Sequence, residues 1–221
     1  MKTKIQITGI IPVKENSERV KKKNLRKFAN TNLFALKLKQ LKKTQCFKKF
    51  LISSESERVL NIAKKFDFEV HKRDPYYSTS HVPMSEVYSY ISSAVKTEHV
   101  AWINVTNPLV GPKIYDKAAK LYAKTLKKHD CLLSAKENRE NFFFKGKPVN
   151  FKPFPWPRSQ DLKPLISLPF SFSFLKKDNL KNWGSCVGKK PYFYILDDIS
   201  SIDIDNTLQF KFAEFLYKKL K

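Results

Sequence analysis

Cysteine and glycine are scarce in this chain, and their scarcity excludes several kinds of site. The 221 residues include three cysteines and five glycines. Cys46, Cys131 and Cys186 lie far apart, without the CxxC or Cys/His spacing of a zinc site or a disulfide framework. No Gly-x-Ser-x-Gly sequence surrounds Ser171 or Ser173, so neither serine is expected to be the nucleophile of a hydrolase. The thiols are expected to be buried or without a chemical role.

Long hydrophobic runs are also missing. No apolar stretch approaches the ~18 residues that a membrane-spanning helix requires. Residues 1–7 begin with basic residues but have neither a long apolar region nor a small-residue cleavage site, so they do not resemble a signal peptide. The composition, with 42% hydrophobic residues, is that of a globular protein. We expect a single domain over 1–221, no membrane span and a cytoplasmic location.

Positive charge is abundant, with a formal net charge of +23. Such a charge is compatible with nucleic acid, acidic lipid or phosphorylated substrates as partners. The lysines are, however, scattered along the whole chain, and no RNP signature, helix-turn-helix pattern or zinc finger is present. A solvated basic surface is therefore favoured over a nucleic-acid interface, which remains the alternative from another functional class.

Short apolar runs alternate with amphipathic segments along the chain. Strands are predicted at 5–13, 47–54, 68–70, 100–105, 131–135, 170–175 and 192–196. Helices are predicted at about 33–41, 56–66 with Ser54 or Ser56 as N-cap, 83–95 with Pro83 in its first turn, 113–127 and 208–220. This alternation indicates an α/β fold with a mainly parallel sheet covered by helices on both faces.

Residues 141–169 interrupt this alternation. The segment 142–149 has the pattern of a β-hairpin, and prolines recur at 148, 153, 155, 157, 164 and 169. We interpret 141–169 as an excursion from the core. Phe142, Phe143 and Phe144 could belong to the core, but an aromatic hairpin exposed on the surface favours a subunit interface.

Polar residues follow the first predicted strand and precede the last predicted helix. The first loop, residues 14–24, carries cations and small polar groups that suit a triphosphate, although a solvated lysine run would look similar. Near the other end, Asp203 and Asp205 alternate with Ile202 and Ile204, so both carboxylates face one side of an extended segment. The pair can hold Mg²⁺ together with substrate phosphates. Alternatively, Asp205 caps the final helix, and the local pattern leaves both interpretations open.

Taken in order, these segments resemble the acylneuraminate cytidylyltransferase family, which includes CMP-sialic acid synthetases and, more loosely, CMP-Kdo synthetases. The resemblance spans nearly the whole chain. It rests on IPVKENS at 11–17, KNL at 23–25, ISSE at 52–55, KR at 72–73, PMSEV at 83–87, NVTNPL at 104–109, PRSQD at 157–161 and SIDID at 201–205. The resemblance implies a Rossmann-like sheet of the nucleotide-diphospho-sugar transferase type, with the excursion 141–169 serving dimerisation and the sugar site.

The resemblance also assigns roles to residues. It implies transfer of CMP from CTP to an acidic, sialic-acid-like 2-keto-3-deoxy sugar with release of pyrophosphate, in a homodimer that uses Mg²⁺ for surface polysaccharide or glycan synthesis. The implied nucleotide-binding residues are Val13, Lys14, Asn16, Ser17, Lys23, Arg73 and Asn104, of which Lys14 and Lys23 are also the catalytic cations. The implied sugar-side residues are Thr106, Arg158 and Gln160, and the implied metal ligands are Asp203 and Asp205.

The chain departs from the family pattern in two places. The first loop has Glu15, Glu18 and Arg19 where members commonly have glycines and a lysine, which puts negative charge near the expected phosphates. Residues 167–170 read Ser-Leu-Pro-Phe where many members have Asn-Gly. A family member that binds nucleotide or sugar without turnover is therefore the second alternative.

Overall fold

Residues 5–17 and 19–220 are described by the computed structural model, and they form a central mixed sheet with helices on both faces. The strands are β1 (Ile7–Pro12), β2 (Lys27–Phe28), β3 (Thr31–Asn32), β4 (Phe47–Ser54), β5 (Glu69–Lys72), β6 (His99–Ile103), β7 (Cys131–Asn138), β8 (Phe143–Phe144), β9 (Lys147–Pro148), β10 (Leu165–Ser167), β11 (Phe172–Lys176) and β12 (Pro191–Ile195). The α-helices are α1 (Leu33–Leu41), α2 (Glu57–Lys64), α3 (Met84–Ser93), α4 (Pro112–Thr125), α5 (Lys177–Trp183) and α6 (Thr207–Lys219).

The central sheet has the order β10-β7-β11-β6-β1-β4-β5, and β12 also pairs with β7. Neighbours are parallel from β6 through β1 and β4 to β5, and β12 is parallel to β7. Strand β11 runs antiparallel between β6 and β7, and β10 is antiparallel to the end of β7. The predicted Rossmann-like, mainly parallel α/β fold is confirmed.

Two apolar cores lie on opposite faces of the sheet. Ile10 and Ile11 of β1 are both fully buried but belong to different cores, because successive strand residues point to opposite faces. Helices α1, α4 and α6 contribute to the core that contains Ile11, and α3 and α5 to the core that contains Ile10. This two-sided burial explains why β1 reads as a continuous apolar run rather than an alternating one.

Local capping residues decide where several helices begin. Ser56 caps α2 by accepting a hydrogen bond from the backbone N–H of Val59, so of the two predicted caps Ser56 is the correct one. Pro83 is the N-cap of α3 and does not lie in its first turn. Helix α5 was not predicted, because its seven residues are too few to show a helical period.

The excursion 141–169 contains the predicted hairpin, formed by β8 and β9. Asn150 holds it closed by donating hydrogen bonds to the carbonyls of Glu140 and Lys163 at 2.8 and 2.9 Å. Strand β10, which also lies in this range, returns to pair with β7 of the main sheet. The excursion is thus anchored to the sheet edge, and the side chains of Phe143 and Phe144 are exposed.

Two further predictions concern the cysteines and membrane-spanning helices. Cys131 and Cys186 are buried, Cys46 is half-buried, and none of the three forms a disulfide. Among the described residues, no helix combines the length and apolar character needed to cross a bilayer.

Candidate active site

Loops that follow four neighbouring parallel strands meet at one edge of the sheet. Lys14 follows β1, Glu55 follows β4, Arg73 follows β5 and Asn104 follows β6. The carboxyl ends of parallel strands lie on the same side, which is where ligands bind in open α/β sheets. These loops border a cleft of about 420 Å³.

The cleft is lined by polar, basic and apolar residues. Its lining comprises Pro12, Lys14, Asn16, Ser17, Arg19, Val20, Lys23, Asn24, Arg73, Ser78, Ser80, Met84, Val87, Asn104, Val105 and Thr106. Seven of the predicted site residues are therefore brought together: Lys14, Asn16, Ser17, Lys23, Arg73, Asn104 and Thr106. A lining that combines cations with neutral polar groups suits a ligand with phosphates and an uncharged ring.

Two lysines of the first loop face the cleft in different surroundings. The ammonium of Lys14 reaches the backbone carbonyl of Thr79 at 3.3 Å. Lys23 is almost buried, and its Nζ donates a hydrogen bond to the carbonyl of Ile204. Burial lowers the pKa of Lys23, while the nearby carboxylates of Asp203 and Asp205 oppose that shift. Both lysines can therefore place positive charge on a bound phosphate chain.

Glu15, an acidic residue of the first loop, is paired with residues of α2 and its cap. The Glu15 carboxylate accepts a hydrogen bond from the Ser56 hydroxyl and lies 3.7 Å from the Arg58 guanidinium. The negative charge of Glu15 is therefore offset by the Ser56 hydroxyl and by Arg58. Glu18 lies outside the described residues. Asn24 stiffens the loop from the other end by donating to the carbonyl of Lys14 at 2.9 Å.

Arg73 is fully buried and connects the loops that follow β1 and β4. Its guanidinium donates to the Val13 carbonyl at 2.8 Å and to Glu55 at 2.9 Å. Glu55 also accepts from the backbone N–H of Glu15 and from the Ser78 hydroxyl, both at 2.9 Å. Burial alone would raise the pKa of Glu55, but these donors together hold it below its ordinary value.

Val13 does not line the cleft. Its side chain is fully buried, and its backbone N–H and carbonyl are bonded to Ser53 and Arg73. It therefore supports the loop from the core, and a contact with nucleotide stays a prediction.

Asp203 and Asp205 lie beside Lys23, next to the cleft lining. Asp205 pairs with the exposed Arg19 guanidinium at 2.9 Å and lies 3.9 Å from Lys23. Burial raises the pKa of Asp203, and the nearby charge of Asp205 raises it further. A hydrogen bond from Thr106 and the charge of Lys23 act in the opposite direction. One oxygen of Asp203, Oδ1, is buried and accepts no hydrogen bond within the described ranges.

The final helix has another residue as its cap. Asn206 accepts from the backbone N–H of Gln209, and the Gln209 side chain bonds back to the Asn206 N–H, which completes a capping box. The alternative that Asp205 is the N-cap is wrong. The Asp205 carboxylate is left for Arg19, Lys23 or a cation.

The two aspartates fit a magnesium ion that is shared with a substrate. No group of three or more histidine, cysteine or acidic side chains that could hold a metal occurs among residues 5–17 and 19–220. Mg²⁺ commonly takes one or two carboxylates and completes its shell with phosphate oxygens and water. The unbonded oxygen of Asp203 and the half-exposed Asp205 are ligands of that kind.

Arg158 and Gln160 do not line this cleft. They lie in the excursion, where Arg158 forms two hydrogen bonds with Asp161 at 2.7 and 3.1 Å and is largely exposed. Their sugar-side role stays a prediction.

Sequence reasoning missed several residues of the cleft. Ser78, Ser80 and Met84 line it, because the segment after Arg73 passes over the cleft before α3 begins. The turn-rich composition of residues 72–81 was the available signal. Arg19 was noticed only as a departure from the family pattern, yet it too lines the cleft and reaches the Asp205 carboxylate.

Comparisons with known proteins identify a family for this chain. Residues 8–145 match the family model described as cytidylyltransferase. The post-translational flagellin modification protein B of Campylobacter coli is 27% identical over 97% of this chain and 96% of its own length. CMP-N,N'-diacetyllegionaminic acid synthase of Campylobacter jejuni is 26% identical over 96% of this chain and 94% of its own length. N-acylneuraminate cytidylyltransferase A of Danio rerio is 25% identical over 94% of this chain, which spans 50% of that protein.

Solved structures support the same fold. The structure of CMP:2-keto-3-deoxy-manno-octonic acid synthetase complexed with CTP superposes with a TM-score of 0.72 at 9% identity, covering 98% of this chain and 100% of the other. A 4-diphosphocytidyl-2C-methyl-D-erythritol synthase from Anaerococcus prevotii has a TM-score of 0.68 at 12% identity, covering 97% and 96%. At such identities the likeness concerns the fold alone.

Proposed function

Because the chain belongs to the cytidylyltransferase family and is thus a nucleotidyltransferase, we propose that it transfers CMP from CTP to an acidic, sialic-acid-like sugar. Among its relatives, one is named CMP-N,N'-diacetyllegionaminic acid synthase and two are named N-acylneuraminate cytidylyltransferases. The observation that carries the proposal is that Lys14 and Lys23 line one cleft, while Asp203 and Asp205 lie beside Lys23. Cations and a carboxylate pair together are what a nucleoside triphosphate with its metal requires.

The reaction is an attack by a sugar hydroxyl on the α-phosphorus of CTP. A bond forms between the hydroxyl oxygen and the α-phosphorus, the bond to the bridging oxygen breaks, and pyrophosphate leaves while the hydroxyl proton passes to solvent. Lys14 and Lys23 hold the phosphate chain and offset the charge that develops on the leaving group. Mg²⁺ held by Asp203 and Asp205 supplies further charge neutralisation when bound.

We propose that Asn104 and Thr106, on the loop that follows β6, receive the cytosine and the sugar. Asn104 is held in place by a hydrogen bond from its side chain to the Phe170 carbonyl at 2.8 Å. Its amide oxygen remains an acceptor for a base. Thr106 lies on the same loop, nearer to Asp203, which suits the side from which a sugar hydroxyl approaches.

We propose that the chain forms a homodimer through the excursion 141–169. We also propose that its product serves the synthesis of a surface polysaccharide or glycan. Phe143, Phe144, Phe154 and Trp156 are more than half exposed. Large aromatic residues concentrated in one exposed segment are typical of protein interfaces. The two relatives from Campylobacter, one of them named for flagellin modification, support a role in decorating surface structures.

Pyrophosphate release in the presence of CTP, Mg²⁺ and a panel of acidic sugars tests the activity. Release that depends on one of the sugars is expected. Thermal unfolding with each nucleotide tests the site separately, because a ligand that binds the native state raises its melting temperature. We expect a larger rise with CTP than with ATP or GTP, and equal shifts would contradict the cytosine assignment. A CTP-specific shift without pyrophosphate release would identify a silent nucleotide binder.

A further inference from the structure

Lys37 is a lysine inside the core, on helix α1. Its side chain is fully buried. Nζ donates hydrogen bonds to the backbone carbonyl of Asn107 and to the hydroxyl of Tyr115, both at 2.8 Å, and lies 5.3 Å from the centre of the Tyr115 ring. Neither partner carries a charge at neutral pH. Lys37 is therefore a buried amine whose direct hydrogen-bonding partners are neutral groups.

Such an amine is costly to the fold. Burial lowers the pKa of Lys37 to about 7, and no acidic side chain contributes to that shift. An ammonium group that is buried without a charged partner is costly in free energy. Leu36 and Leu38 flank Lys37 in the chain and are both buried, so this part of α1 accommodates apolar residues. Stability alone does not account for a lysine at this position.

The carbonyl that Lys37 holds belongs to the loop between β6 and α4, which carries Thr106. Asn107 is itself fully buried, and its side-chain amide donates to the carbonyls of Pro169 and Ile202 at 3.2 and 3.3 Å. The backbone N–H of Ile204 donates to the Thr106 carbonyl at 3.1 Å. The loop with Thr106 is thus joined to both sides of Asp203.

We propose that Lys37 is a positioning residue for the metal-binding end of the cleft, acting through the Asn107 carbonyl on Thr106, Asp203 and Asp205. This proposal rests on the proposed cytidylyl transfer and on the assignment of Mg²⁺ to the two aspartates. Lys37 does not touch the cleft. Its effect is to keep the loop from shifting, since displacements of about 1 Å at reacting groups cost about 100-fold in rate.

The test compares the full-length variants Lys37→Met and Lys39→Met. Methionine keeps the length and bulk of lysine but lacks its N–H donors. Lys39 lies on the same helix and is exposed, so its replacement is the matched control. We expect Lys37→Met to keep the wild-type melting temperature or exceed it, to lower kcat about 10- to 100-fold, and to raise the Mg²⁺ concentration for half-maximal rate. Lys39→Met should match the wild type in all three.

A binding measurement gives a second readout that does not depend on turnover. The melting-temperature rise caused by CTP is measured with and without Mg²⁺. The wild type should gain an additional rise from Mg²⁺, and Lys37→Met should lose most of that increment while keeping the rise caused by CTP alone. A variant with Tyr115→Phe removes the other partner of Lys37 and leaves the Asn107 contact, so its kcat should stay within about twofold of the wild type.

The possible outcomes separate this proposal from the proposed function. A wild type without sugar-dependent pyrophosphate release counts against the proposed function. An active wild type together with a folded Lys37→Met variant of unchanged kcat and Mg²⁺ response overturns the role of Lys37. If neither Lys37→Met nor Lys37→Leu folds, Lys37 is required for folding, and the positioning role is overturned as well.

Discussion

The ammonium of Lys23 donates a hydrogen bond to the backbone carbonyl of Ile204 at 2.5 Å, and the two residues lie 181 positions apart in the chain. This contact joins the loop that follows the first strand to the segment that precedes the last helix. It places Lys23 near the carboxylates of Asp203 and Asp205, both of which raise its pKa. The proposed phosphate-binding lysine and the proposed metal ligands thus lie close together in the protein without substrate.

Replacing Lys23 should impair both catalysis and stability. Lys23→Met removes a cation from the phosphate site and leaves the Ile204 carbonyl without its partner. We expect kcat to fall by at least about 100-fold and the free energy of unfolding to fall by about 1–3 kcal/mol. Pyrophosphate release and urea unfolding measure the two effects. Lys21 is exposed in the same loop, and Lys21→Met should change neither quantity appreciably; equal losses in both variants would contradict the assignment.

Removing one negative charge from the aspartate pair should abolish turnover without unfolding the protein. Asp203→Asn and Asp205→Asn keep the size of the side chain, and the exposed Arg19 pair lost in the second variant contributes at most about 1 kcal/mol. Sugar-dependent pyrophosphate release across a Mg²⁺ titration, together with thermal unfolding, checks this expectation. Near-normal Mg²⁺-dependent synthesis in both variants would refute the metal assignment.

Asn206→Ala provides the control for these two variants. It removes the N-cap of α6 and should lower the free energy of unfolding by about 1 kcal/mol. Because the cap and the metal ligands are different residues, its Mg²⁺ requirement should equal that of the wild type.

The excursion should mediate self-association. Light scattering is expected to give twice the 25.8 kDa mass of the chain. Phe143→Ser with Phe144→Ser should shift the protein toward the monomer, because the double replacement removes exposed aromatic surface from the proposed interface. Phe212→Ser on α6 is the matched control, since Phe212 is similarly exposed but lies elsewhere. A monomeric wild type at all concentrations would eliminate the dimer.

The titration of Lys37 should appear in the stability of the protein. Its pKa is lowered to about 7 in the fold, whereas lysine in an unfolded chain titrates near pH 10.4. Between these values the unfolded state binds more protons, so stability rises with pH. The free energy of unfolding of the wild type, relative to Lys37→Met, should rise by up to about 1.4 kcal/mol per pH unit from about pH 7.5 to 10.

Urea unfolding of both proteins at several pH values measures this difference. Burial raises the pKa of Cys131 to about 12, which lowers stability as the pH rises above the unfolded value. That effect is common to both proteins and cancels in the comparison. A difference that stays constant with pH would show that Lys37 keeps its ordinary pKa.

Periodicity and order along the chain were enough to predict the architecture, and the family resemblance added seven residues that line the cleft. Short buried strands such as β1 and amphipathic helices such as α4 are set by local patterns, because burial on two faces or on one leaves a direct trace in the residue types. The loops that follow parallel strands must meet at one edge of the sheet. Lys14, Asn104 and Thr106, which the family resemblance assigns to the site, follow β1 and β6 and therefore lie at that edge.

Only the tertiary structure showed which charged side chains are paired or buried by residues that are distant in the chain. Glu15 looked like an unfavourable charge in a phosphate loop until Ser56 and Arg58 were seen beside it. Lys37 looked like one solvated lysine among many, because a residue type carries no record of whether a distant loop will cover it. The chain by itself determined the sheet, the order of its loops and the residue types at the cleft. Packing between distant segments decided which of those residues are buried, paired or left to bind a ligand, since pairing energies depend on neighbours that sequence spacing does not reveal.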